Sequence, residues 1–113
     1  MESACHYYKR FYLCARVLND EAGSALALNR LAVCYFNRAK FEMSHLYNQK
    51  HAQFVKESDQ FIAIYNAAIS SRLLGFFDRA ITEFTKALGI VQPQKDYESE
   101  SLCEGQIAVV LLL

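Results

Sequence analysis

NAAISSRLLGFFDRAITEFTKALGIVQP, running from Asn66 to Pro93, is the stretch whose reading decides the fold. It divides into two helical segments that fold back on each other across Leu74-Gly75-Phe76-Phe77. Its skeleton is Ala67-Ala68, Gly75, Phe77, Ala80, Phe84, Ala87 and Pro93: small and large apolar residues alternate at helical spacing, with glycine at the bend and proline at the stop. Small residues let two helix backbones approach, and aromatic side chains fill the space that remains. The pattern therefore predicts an antiparallel helix pair.

Outside this stretch, breakers are scarce. The 113 residues include 4 glycines and 1 proline, and segments such as Ala25 to Phe36 contain neither. The expectation is an all-α chain. An apolar content of 53% suffices for one small domain with a thin core. Lys plus Arg and Asp plus Glu balance at 12 each, so the long-range field that gathers nucleic acid is missing. Lys9-Arg10 and Arg72 are the densest basic points, and nucleic acid is not expected as a partner. The longest apolar run, Ile107 to Leu113, is far short of a membrane span, and no membrane insertion is expected. Cys5, Cys14, Cys34 and Cys103 lie far apart with no CxxC, and Met1-Glu2-Ser3-Ala4-Cys5-His6 has neither a basic flank nor an apolar run. This usage fits a reducing, cytoplasmic setting.

Taken in order, Ala4, Tyr8, Phe11, Tyr12, Ala15 and Leu18 form one stripe of a first helix, residues 2–18. Asn19-Asp20 breaks it, with Asp20 placed to cap the next helix. Leu28, Leu31, Ala32, Tyr35 and Phe36 then mark a second helix, and Arg38-Ala39-Lys40 a bend. A third helix is expected from Phe41 to Lys56, with Phe41, Ser44, Tyr47, His51 and Phe54 roughly in line. After the polar break Glu57-Ser58-Asp59-Gln60 comes the Asn66–Pro93 pair, then a polar linker, Gln94 to Glu98, and a last helix, Ser99 to Leu113.

An internal repeat follows from aligning these segments. Ala32, Ala68 and Ala108 share one small slot, preceded by Leu31, Ala67 and Ile107 and followed three residues on by Tyr35, Ser71 and Leu111. In the helices that complete each pair, Ala4, Ser44 and Ala80 align, then Tyr8, Asn48 and Phe84, then Phe11, His51 and Ala87. Ala32 to Ser44 and Ala68 to Ala80 are the same distance. The step from Ser44 to Ala68 is shorter by four residues than those from Ala4 to Ala32 and from Ala80 to Ala108, close to one helical turn, so the same faces stay aligned.

The small pair, Gly75, Ala80, Phe84, Ala87 and Pro93 resemble the tetratricopeptide (TPR) signature, in units longer than the usual ~34 residues. Ala15, Leu18-Asn19-Asp20, Gly23, Ala27, Leu31-Ala32 and Tyr35 are similar to the longer repeats of the G-protein-signalling-modulator scaffolds that orient spindles, and of kinesin light chains. Two departures stand in the second unit, where Ala39 replaces glycine at the bend and Asn48 replaces the aromatic. The resemblance implies a right-handed array of about six helices: an unpaired second helix at 2–18, repeats at 21–56 and 59–92, and an unpaired first helix at 99–113.

In such arrays the first helices line a concave side that binds a peptide or helix of a partner. Carried over slot by slot, the inward positions are Asn29, Arg30, Val33, Phe36 and Asn37, then Tyr65, Asn66, Ile69, Arg72 and Leu73, then Gln106 and Val109. Asn29, Asn66 and Gln106 offer amides to a peptide backbone, Val33, Ile69 and Val109 an apolar strip, and Arg30 and Arg72 positive charge for an acidic side chain. The bland alternative is a solvated helix surface. The carboxylate clamp of chaperone adaptors is not expected, because Asn29 and Val33 occupy the slots of its first lysine and asparagine.

Catalysis is not expected. GxSxG, a glycine-rich phosphate loop and HExxH are all absent, and Glu98 and Glu100 read as solvated. His45 and His51 are six apart, on different faces of a helix, and Cys5-His6 are adjacent, so neither metal nor cofactor is expected. Most of the seven tyrosines and eight phenylalanines fall in core slots, Tyr65 and Phe36 being the expected exceptions. The alternative to an adaptor is a fragment of a longer array that self-associates through its ends, above all through Ile107-Ala108-Val109-Val110-Leu111-Leu112-Leu113.

Overall fold

Aspartate or serine caps the start of three helices, and left-handed residues follow the ends of four. The computed structural model describes residues 3–113, with α1 at Ala4–Val17, α2 at Glu21–Asn37, α3 at Phe41–Ala52, α4 at Phe61–Leu73, α5 at Phe77–Val91 and α6 at Tyr97–Leu112. A single 3-10 turn, Glu57–Asp59, separates α3 from α4. Among the described residues there is no strand. Asp20 caps α2 as expected, its Oδ1 accepting from the Gly23 amide at 2.8 Å. A Cβ on Gly23 would lie 2.3 Å from that carboxylate, so glycine there lets the cap close. Asp96 caps α6 in the same way, accepting from the Ser99 amide at 3.1 Å.

Four of the five bends turn on one residue with positive φ: Asn19 at 55°, Ala39 at 57°, Gly75 at 82° and Lys95 at 55°. After each, the next amide returns to a carbonyl of the last helical turn, as Phe76 N–H does to Ser71 O at 2.9 Å and Lys40 N–H to Tyr35 O at 2.9 Å. These bonds satisfy carbonyls that a helix end leaves unpaired. The bend after α3 has no such residue. There Gln60 reaches back and donates to Ala52 O at 2.8 Å and Val55 O at 3.5 Å.

Successive helices pack against one another along the chain, α1 on α2 through α5 on α6, which makes an all-α helical array. The repeated slots are mostly core: Leu31, Ala32, Ala67, Ala68, Ser44, Ala80, Asn48, Phe84 and Ala87 are all buried. Ser44 Oγ donates to Ala32 O at 2.8 Å, joining the two small slots directly. Between α4, α5 and α6, Phe84 fills the space left by Ala68 and Ala80 and meets Val110. Burying such a side chain contributes about 1.5–3 kcal/mol.

Several expectations need correction. The third helix stops at Ala52 and not Lys56, and the last begins at Tyr97 and not Ser99, which puts Glu98 and Glu100 in its first turn. The first helix begins at Ala4; Glu2, expected within it, lies outside the described residues. In α1 the core face is Cys5 and Ala15 with Tyr8 and Tyr12 half-buried, while Ala4 and Phe11 are exposed. Ala4 and Phe11 lie away from α2, the helix against which α1 packs. Ala108 is likewise exposed. In α3 the buried residues are Ser44, His45 and Asn48, with His51 only half-buried. The apolar end of the chain is divided, with Val110 buried and Leu111, Leu112 and Leu113 exposed.

A polar tie crosses the array. His45 Nε2 on α3 lies 2.6 Å from Glu83 Oε2 on α5, and Ser71 Oγ on α4 donates to Glu83 Oε1 at 2.5 Å. Arg79 Nε donates to Ser71 Oγ at 2.8 Å and stands 3.9 Å from Glu83. Burial opposes ionisation of Glu83, but the hydrogen bonds from His45 and Ser71 and the charges of His45 and Arg79 outweigh it, so its carboxyl is held below the usual range.

Candidate functional site

A recess opens where α2 and α4 stand side by side over α3. Val33 and Phe36 on α2 and Asn66 and Ile69 on α4 form its walls. Ala32, Ser44 and Asn48 complete the lining, and the volume is about 170 Å³. The spacing explains how α2 and α4 contribute equivalent walls. Val33 and Ile69 each follow the buried small slot, Ala32 or Ala68, by one residue, so both helices present the same edge.

The opening has a cause in the sequence. Phe84 fills the core of the next pair, whereas the aligned position on α3 is Asn48, which is smaller. Asn48 is 2% exposed, and its Oδ1 is buried without a hydrogen-bond partner. An acceptor in that state costs about 1–3 kcal/mol. Asn48 also borders a second hollow of about 340 Å³ among α3, α4 and α5, lined by Gln49, Gln53, Ala63, Ala67 and Lys86 with others. The polar wall of this second hollow includes Glu83, already committed to His45 and Ser71.

Of the expected partner-binding residues, Val33, Phe36, Asn66 and Ile69 are brought together. Asn29 is half-buried and Arg30 exposed, the Arg30 guanidinium donating to Asn29 Oδ1 at 3.5 Å. Asn37 is exposed, as are Leu73 and Val109. Tyr65 is not a free surface aromatic. Its ring sits 5.4 Å from Phe61 and 5.5 Å from Phe84, half-buried in the core. Phe36 does border the recess, with its ring 5.3 Å from Phe41. Arg72 and Gln106 are half-buried, with Arg72 Nε and Gln106 Oε1 enclosed and unpaired.

Sequence reasoning did not place Ser44 and Asn48 at the site, because it assigned second helices to packing alone. The signal was present as the departure at Asn48. His45–Glu83 had no signal, since the two residues are 38 apart and their meeting depends on how α3 and α5 flank α4. Among the described residues no three His, Cys, Asp or Glu side chains gather as metal ligands, and no helix is long and apolar enough to cross a membrane.

Fold and recess together define a class: an all-α array of successive helices with a lined opening between two of them. A scan against models of known protein families and a search of curated proteins return no match.

Proposed function

We propose that this chain is a TPR-like, non-catalytic interaction module of the cytoplasm that binds a peptide or helix of a partner protein along the α2/α4 side. One observation carries this reading. Val33, Phe36, Asn66 and Ile69, chosen by repeat register, line one recess with an apolar wall and an amide at its edge. A small number of placed polar groups in an apolar hollow is what orients a bound chain. Balanced charge suits such a role better than nucleic-acid binding.

The test is selection from a random peptide library displayed on phage, with the immobilised chain as bait. Peptides of a shared pattern should be enriched and should lose binding to Asn66→Ala and Val33→Ala chains, but not to a Thr85→Ala control with the same melting temperature. Peptides that bind all four chains alike would place the contact elsewhere.

A second reading, assembly of copies, rests on exposed apolar side chains of the end helices. Leu13, Val17 and Leu18 project at the end of α1, and Leu111, Leu112 and Leu113 at the end of α6. Sedimentation that depends on concentration, abolished by Leu111→Lys/Leu112→Lys, would support it, and a monomer at all concentrations would exclude it.

A further inference from the structure

We infer that the recess over Asn48 is a subsite for one tyrosine side chain of the bound peptide; this rests on the groove reading above. The first observation is size. A cavity of about 150 Å³ lined by aliphatic and aromatic side chains holds one benzene ring, and this recess measures about 170 Å³. Its walls, Val33, Phe36 and Ile69, are suited to a ring and leave little beyond it. In the neighbouring pair the aligned slot is filled from within by Phe84, so the partner's ring does for α3 what Phe84 does for α5.

The second observation selects tyrosine over phenylalanine. Asn48 Oδ1 is enclosed without a donor, and its residue borders the recess. Rotation about χ2, a broad torsion in asparagine, turns the carboxamide toward an entering ligand. A phenolic hydroxyl both donates and accepts, so it pairs with the carboxamide in either orientation. A phenylalanine ring would occupy the same volume and leave the amide unpaired. Ser44 also lines the recess, but its hydroxyl proton is already given to Ala32 O at 2.8 Å, and Asn66 stands half-buried at the edge, so Asn48 is the enclosed, unpaired carboxamide that reads the ligand.

The probe is 4-methylphenol, the tyrosine side chain alone, compared with toluene, the phenylalanine side chain, by titration in two-dimensional amide NMR. On the wild-type chain 4-methylphenol should shift the amides of Val33, Phe36, Asn66 and Ile69 and bind about tenfold more tightly than toluene, the ratio that one satisfied buried acceptor provides. Asn48→Leu keeps the branched outline of the side chain and removes the carboxamide, so both probes should bind it with equal affinity. Asn48→Phe fills the recess and should bind neither. Equal affinity of the two probes for the wild type, no shift up to the solubility limit, or a preference that survives in Asn48→Leu overturns the assignment. The probe does not depend on any peptide. Failure of 4-methylphenol while Asn66→Ala still loses selected peptides leaves the groove standing without a tyrosine subsite; binding of 4-methylphenol while all chains bind the same peptides leaves the reverse.

Discussion

Replacing Glu83 by glutamine keeps the shape of the tie between α3, α4 and α5 and removes its charge. In the native array the carboxylate meets His45 at 2.6 Å and Ser71 at 2.5 Å, with side chains of His45 and Glu83 only 5% and 16% exposed. A hydrogen bond to a charged group contributes about 1.5–3 kcal/mol and a neutral one about 0.5–1.5. Turning two of the first kind into the second therefore costs about 2 kcal/mol. With an unfolding entropy of about 2.1 cal/mol/K per residue, a chain of 113 residues loses ~8 °C of melting temperature. Glu83→Ala should cost more, about 3–5 kcal/mol, because His45 and Ser71 then lose their acceptor in an enclosed site.

The pH dependence has a definite sign. The folded-state pKa of Glu83 is depressed despite burial, by His45, Ser71 and the Arg79 charge, whose own outer partner is Glu42 at 3.4 Å. Its contribution is fully present above the unfolded-state value and is lost as pH falls through the lower folded-state value. Urea unfolding followed by circular dichroism at about pH 7 and about pH 3.5 should show the gap between wild type and Glu83→Gln narrowing in acid. A gap under about 0.5 kcal/mol at neutral pH, or one that does not narrow in acid, would refute the assignment of stability to this tie.

Three shorter tests follow from other parts of the array. An aromatic disulfide reagent should label exposed Cys14 first and leave Cys103 until unfolding, since Cys103 is 0% exposed and burial, with Glu104 nearby, pushes its thiol up to about 11; equal labelling rates by mass mapping would contradict this. Ala39→Gly at φ 57° should relieve about 1–2 kcal/mol of left-handed strain against about 0.4–1 kcal/mol lost to a freer unfolded chain, a net gain of roughly 0.5–1 kcal/mol, and a lower urea midpoint would contradict it. Ser44→Ala, which installs the residue type found at Ala80, should lower stability by about 1 kcal/mol through loss of the bond to Ala32 O, and an unchanged midpoint would show that this bond contributes nothing.

The parts legible in the sequence are those set by local chemistry and by spacing. Scarce breakers predicted helices, Asp20 predicted a cap, and the equal steps from Ala32 to Ser44 and from Ala68 to Ala80 predicted two small slots that are buried in both pairs. What escaped depends on contacts the local sequence does not encode. Gln53 to Lys56 contains no breaker and so reads as a continuation of α3, whereas the helix stops at Ala52 and the chain is held by Gln60 reaching back across the bend. Register alone does not say that Phe61 and Phe84 both approach the Tyr65 ring, and that approach takes it out of the groove. Asn48 shows how a departure from a packing pattern is to be read. An asparagine in an aromatic slot is an unfilled place in the core, and here the volume reappears as a recess bounded by Val33, Phe36 and Ile69. Filling it from within should stabilise the pair and close the site, whereas leaving it open keeps an unpaired acceptor enclosed at a cost of about 1–3 kcal/mol. On the proposed reading, stability and binding make opposite demands on this one position, and asparagine there leaves the recess open.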